Sequence, residues 1–106
     1  MSARTLKVAT KDGPVEVPVY ARSHGLAITG YLLMSGAVDA GRFKITHEKS
    51  GMSICWIPID SLSVARRALR RTARLTDWTR TAKALSRQRT LQRRIEAALA
   101  DAGVFQ

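Results

Sequence analysis

Hydrophobic and polar positions along this chain follow two periods in succession, first near two and then near 3.6. From Thr5 to Thr10, Leu6 and Val8 alternate with Lys7, and Lys11-Asp12-Gly13-Pro14 supplies a turn, which predicts a first strand. Val15, Val17 and Val19 then alternate with Glu16, Pro18 and Tyr20, predicting a second strand with its valines turned inward. Pro18 lacks an N–H, so this strand belongs at a sheet edge or beside a bulge. Arg22-Ser23-His24-Gly25 turns the chain into a third strand, Leu26 to Leu33, in which Gly30 marks a weak point or a bulge. The glycines and Asp39 of Ser35 to Gly41 suit a loop. Arg42 to Glu48 alternates again, with Phe43, Ile45 and His47 on one face and Arg42, Lys44 and Thr46 on the other. After Lys49-Ser50-Gly51, Met52 to Ile57 is expected to run back as a fifth strand stopped by Pro58. Two of these hairpins align without gaps, Ala21 to Ile28 on His47 to Ile54. They share a Gly, the large apolar residue after it, a small residue and an Ile, an overlap that common turn chemistry produces and that is weak support for a repeated unit.

Past Pro58 the longer period takes over. Asp60 or Ser61 can accept hydrogen bonds from the free amides of a helix beginning there. Leu62, Ala65, Ala68 and Leu69 line one side of that helix, and Arg66, Arg67, Arg70, Arg71 and Arg74 recur at helical spacing on the other. Thr76-Asp77-Trp78-Thr79 interrupts the pattern. A second helix is expected from about Thr79 to Ala102, with Leu85, Leu91, Ile95, Ala98, Leu99 and Ala102 as its apolar side and Arg80, Lys83, Arg87 and Arg94 outward. Gly103 followed by Val104 and Phe105 suits a left-handed helix stop with an apolar clasp. The expected fold is therefore α+β: about five antiparallel strands in hairpins, then two C-terminal helices. At 106 residues it is read as a single domain, 1–106, with a β-rich part over 1–59 and a basic helical part over 60–106.

Charge sharpens this division. The net formal charge is +10, and residues 1–60 contribute seven basic and five acidic side chains, whereas residues 61–106 contribute eleven and three. Ten of those eleven are Arg, with Lys83 the exception. A one-signed field attracts polyanions, and the arginine fork pairs bidentately with phosphate and stacks on bases. Arginine runs are also what a solvated helix face looks like, but such faces usually mix Glu with their cations. From Ser61 to Thr76 there are five arginines and no acidic residue. Neighbouring like charges on a helix repel by a few tenths of a kcal/mol per pair, a cost that an anionic partner would relieve.

Candidate chemistry is otherwise sparse. His24, His47 and Cys55 are too few and too scattered in sequence for a zinc site, and no G-x-x-x-x-G-K phosphate loop occurs. No nucleophile, base or ligand cluster emerges, so the chain is expected to be non-enzymatic, without metal or cofactor. Cys55 reads as a buried structural thiol. One cysteine, no apolar leader and no membrane-length apolar run together predict a reducing, cytoplasmic setting with no membrane partner. Trp56 and Trp78 could each stack on exposed bases; core is the favoured reading for Trp56, with Trp78 open between core and base contact. Tyr20 and Tyr31 share that ambiguity.

Strands in hairpins followed by a basic helix, over Thr5 to Leu75, resemble the Whirly-like single-stranded-DNA-binding proteins by order of elements. That resemblance implies a hairpin sheet that holds a strand of DNA and helices that pair subunits; it transfers no site residue. The functional expectation is nucleic-acid binding, to DNA or RNA with DNA favoured, through Arg66, Arg67, Arg70, Arg71 and Arg74. Arg80, Lys83, Arg87 and Arg94 would extend the track, Trp78 could stack, and Lys44, with Lys7 and Arg42, would add a contribution from the sheet face. Few Asn, Gln or Ser on the first helix can read base edges, so little sequence preference is expected. The alternative is a protein-interaction module, such as a small inhibitor, adaptor or assembly subunit, docking an acidic protein partner. The apolar side of the second helix could equally make a homodimer.

Overall fold

The structure is a computed structural model and describes residues 4–55 and 57–105. The reading of Trp56 as core lies outside the described residues. Four antiparallel strands, β1 (Thr5–Val8), β2 (Val15–Ser23), β3 (Leu26–Leu32) and β4 (Val38–His47), form a sheet in simple sequential order. Three helices follow: α1 (Leu62–Ala73), α2 (Ala82–Ser86) and α3 (Leu91–Ala102). The α+β class read from the two periods is thus the class of the fold, with four strands where about five were expected.

The missing strand has a local cause. Thr46 opposes Ser53 and Phe43 opposes Ile59, so three steps along β4 face six along the returning chain, too many for a regular ladder between the two bridges. Ser53 Oγ takes up Ile45 O and Cys55 O and accepts from Cys55 N, and this side-chain wiring replaces the ladder bonds a regular strand would make. Pro58 then has no amide to offer. The segment still closes the sheet. Ile54 N donates to Ile45 O at 2.9 Å, and Ala9 N, just past β1, donates to Gly51 O at 2.9 Å, so the two edges of the sheet are drawn together into a roll.

Both irregularities signalled by the sequence lie inside the sheet. Pro18 sits on an inner strand, next to a register shift between Val19 and Ala21 that leaves Tyr20 bulged. At Gly30 the register of β3 against β4 jumps, from Gly30 opposite Phe43 to Tyr31 opposite Asp39. A Cβ on Gly30 would come within 2.5 Å of Val38 Cγ1, so this glycine permits a close approach. Val38 to Gly41, expected as loop, belongs to β4, because the bulge at Gly30 absorbs its extra residues.

One face of the roll carries Leu26, Ile28, Phe43 and Ile45, which pack with Ala65, Ala68 and Leu69 of α1 in the main core. The opposite face buries Val17, Ala27, Thr29 and Thr46, with the two threonine hydroxyls hydrogen-bonded at 2.8 Å. Of the second strand's valines, only Val17 is fully buried, and Val15 and Val19 are half-buried. Ser61 caps α1, its Oγ accepting from Val64 N, and Thr81 caps α2 by accepting from Ala84 N.

The long second helix is divided. Leu85, Leu91 and Ile95 are all buried, yet on one straight helix Leu85 would sit about 120° around from Leu91. Breaking the helix at residues 87–90 lets both leucines reach the same core. Arg87 N and Gln88 N turn back to Ala84 O and Leu85 O, tight i to i−3 bonds that end α2. The stop at Gly103 forms as expected: its φ is +92°, Gly103 N bonds Ala100 O, and Val104 N bonds Leu99 O with Val104 against the core.

Candidate nucleic-acid interface

The buried side of α1 consists of Ala65, Ala68, Leu69, Thr72 and Ala73, and all five arginines project from the opposite side, every one exposed. Helical spacing alone produces this. Arg66, Arg70 and Arg74 form one row at steps of four, and Arg67 and Arg71 form a second row beside it. Among the described residues none of the five has a carboxylate within 4.0 Å. The five i,i+3 and i,i+4 pairs among them cost about 1–2 kcal/mol in total at a few tenths each. Arg70 and Arg71, in the last turn, recover part of that from the helix dipole, whereas Arg66 and Arg67 lie too far from the C-terminal end to gain from it. Stability of the helix therefore does not explain the ridge.

A second element meets the ridge at one end. α3 packs beside α1, and Arg71, Arg74 and Leu75 face Arg94, Ala97, Ala98 and Asp101 across an open cleft of about 360 Å³. Arg94 is thus brought to the α1 arginines, as the sequence led one to expect, but across the cleft from them.

Arg80, Lys83 and Arg87 do not continue the track. An unbroken helix would align them with Arg94 in one stripe; instead they are distributed over the turn before α2, α2 itself and its C-cap, all exposed. Arg80 also lies 3.8 Å from Asp77, so part of its charge is answered locally. Lys44 faces away from α1: it alternates with Phe43 and Ile45, which join the α1 core, and its Nζ stands 5.2 Å from the centre of the Tyr31 ring. Arg42, on β4, lies 3.6 Å from Asp39 and 3.7 Å from Asp60. The sheet-face cations are therefore not brought to the helical ridge. Arg89 and Arg93 were passed over in the sequence and are exposed, Arg93 on the outer side of α3.

Trp78 is a correction. Its side chain is 2% exposed, and its indole Nε1 donates to Thr72 O at 2.7 Å, so no base can stack on it while the fold is intact. The sequence placed it between helices without showing what it packs against. Its backbone carbonyl accepts from His47 Nε2 at 2.8 Å, the same nitrogen lies 3.0 Å from Arg80 O, and His47 Nδ1 is 2.7 Å from Ser50 Oγ. Because both partners of Nε2 are carbonyls, that nitrogen carries a hydrogen. His47 and Trp78 together tie the loop after α1 to the end of β4. Tyr20 stacks edge-on against Phe43 at 5.1 Å and is 38% exposed.

Cys55 is buried, its Sγ donating to Ile57 O at 3.0 Å, and burial pushes its thiol pKa up. Among the described residues no three His, Cys, Asp or Glu side chains are grouped to share a metal, and no helix is long and apolar enough to cross a membrane. A cleft of about 420 Å³ between the β4 end and α2–α3 is lined by His47, Met52, Trp78, Leu85, Leu91 and Ile95, but His47 is already committed to its backbone partners. No protein-family model, curated protein or solved structure matches the chain.

Proposed function

We propose that the protein is a non-enzymatic nucleic-acid-binding protein that engages the phosphate backbone through α1. The observation that carries this reading is the ridge of Arg66, Arg67, Arg70, Arg71 and Arg74, exposed along one helix face with no carboxylate within 4.0 Å among the described residues. A ridge of this kind binds by counterion release, so affinity falls steeply with salt and depends little on sequence. DNA is the favoured polymer, and the setting proposed is the cytoplasm. With Trp78 buried and the helix lacking Asn or Gln, contact is with phosphates rather than bases. Gel shifts with single-stranded DNA, duplex DNA and RNA at two salt concentrations test it. Binding that weakens about 10³-fold or more between 50 and 200 mM salt is expected if six or so phosphates are contacted; no shift with any of the three at low salt refutes it.

A second reading, docking on an acidic protein, draws on the same ridge and on the tip of the β3–β4 hairpin, where Leu33 is 38% exposed and Met34 fully so. An apolar tip of this kind suits a protein interface. The apolar side of the second helix, the expected homodimer surface, is buried within the chain, so a homodimer in this reading would use the tip instead, and sedimentation of the isolated chain tests it.

A further inference from the structure

The cleft between α1 and α3 differs from the rest of the ridge. Arg71 and Arg74 line it from the end of α1 and Arg94 lines it from α3, so its cations come from two elements, whereas Arg66, Arg67 and Arg70 stand on α1 alone. Ala97 and Ala98 contribute to the lining, and their small side chains let a ligand settle close to α3. A fourth charge, Asp101, lines the same cleft. Arginine and carboxylate lie within 4.0 Å at Arg22–Glu48, Arg42–Asp39, Arg42–Asp60 and Arg80–Asp77, and among the described residues Asp101 makes no such pair with a cleft arginine. It lies seven residues beyond Arg94, about 10 Å along the helix, and so toward the other end of the opening.

We infer that this cleft is the seat of a single phosphodiester of the bound strand, held by Arg71, Arg74 and Arg94, and that Asp101 sets its affinity from below. The inference rests on the nucleic-acid reading given above. Planar guanidinium groups converging on one anion give charge-assisted, bidentate bonds that a one-sided row cannot match. Asp101 repels every anion that enters, so a free phosphate gains little, whereas a strand that also reaches Arg67 and Arg70 gains enough elsewhere to stay. The cleft thereby favours a polymer over small anions of the same chemistry.

The test compares substitutions of equal charge inside and outside the cleft, in the full chain, by fluorescence anisotropy of a labelled single-stranded oligonucleotide at low salt. Arg94→Gln and Arg71→Gln are expected to weaken binding about tenfold, the loss of a charge-assisted bond, while Arg93→Gln and Arg67→Gln weaken it about threefold or less. Asp101→Asn is expected to tighten binding about threefold, a gain that loss of structure cannot mimic. Inorganic phosphate at millimolar concentration should not displace the oligonucleotide from the parent protein. Equal losses inside and outside the cleft, an unchanged or weakened Asp101→Asn, or ready displacement by phosphate overturns the cleft while leaving a diffuse ridge intact. A parent protein that binds no oligonucleotide overturns the ridge as well, even where it pellets with anionic vesicles.

Discussion

Arg42, on β4, has Asp39 at 3.6 Å and Asp60 at 3.7 Å; Arg70, on the outer face of α1, has no carboxylate within 4.0 Å among the described residues. The contrast extends to the regions they belong to. Arg22 is likewise paired with Glu48 on the strand side, and residues 61–106, with eleven basic and three acidic side chains, place one carboxylate, Asp77, within 4 Å of a cation among the described residues. Packing draws a second division, within the helical part itself. The roll and the loop after α1 are fastened by buried hydrogen bonds, Trp78 with Thr72 O and His47 with two carbonyls, while the ridge arginines are all exposed. One region sets stability and the other is free to meet an anion.

The strongest way to break this division is to attack the buried anchor. Trp78→Ala should cost about 3–5 kcal/mol, read as a lowered urea midpoint, because it leaves a cavity and removes the indole's hydrogen bond to Thr72 O, which keeps Leu75 N. If the division is right, the fraction that remains folded binds oligonucleotide with the parent salt slope. A loss near zero would mean Trp78 is not the anchor described here. Next comes Gly25, whose φ is +94° and where an added Cβ would lie 2.8 Å from the backbone C and O of Trp78. Gly25→Ala should cost about 1–3 kcal/mol, since backbone atoms on both sides cannot yield cheaply. Thermal melts of the two proteins side by side check it.

Ridge substitutions should do the reverse. Replacing Arg67, Arg70 and Arg71 together by Ala should change stability by no more than about 0.5 kcal/mol per site, since all three are exposed and relief of repulsion offsets lost packing. The slope of log affinity against log salt should shrink by about 2–3, close to one per phosphate contact removed. Loss of folding instead would assign those arginines to structure. The smallest effect concerns Asp77, where the hydrogen bonds from Thr79 Oγ1 and N, followed by the charges of Arg80 and Lys49, hold the carboxyl pKa below its ordinary value. A lowered native pKa stabilises the fold above the ordinary aspartate value of about 3.9 and loses that contribution as pH falls through the lower native value. Asp77→Asn keeps an oxygen acceptor for Thr79 and loses the charge. Its stability should therefore fall less than the parent's on acidification below about pH 4, a small difference because the group is solvent-exposed.

Nearest-neighbour chemistry made several features readable in advance. The arginine ridge, the Ser61 cap, the bulges at Pro18 and Gly30 and the left-handed stop at Gly103 all depend on residues within a few positions of one another, or on a conformation that proline or glycine itself imposes. The break at residues 87–90 was less visible. A local period carries a helix through Ser86-Arg87-Gln88-Arg89-Thr90, and only the need to bury both Leu85 and Leu91 in one core interrupts it. That break also scattered Arg80, Lys83 and Arg87, so the candidate site contracted to α1 and the facing residues of α3.

The amino-acid order alone thus determined the succession of strands then helices, which way their side chains alternate and that five cations share a helix face, because these follow from backbone geometry over one or two turns. Tertiary structure decided which aromatic is enclosed, which cations find carboxylates and which arginine from a distant helix faces the ridge. Trp78 meets His47 across 31 positions and Arg94 lines the same cleft as Arg71 across 23, and residues so far apart in the chain come together only once the whole chain has packed.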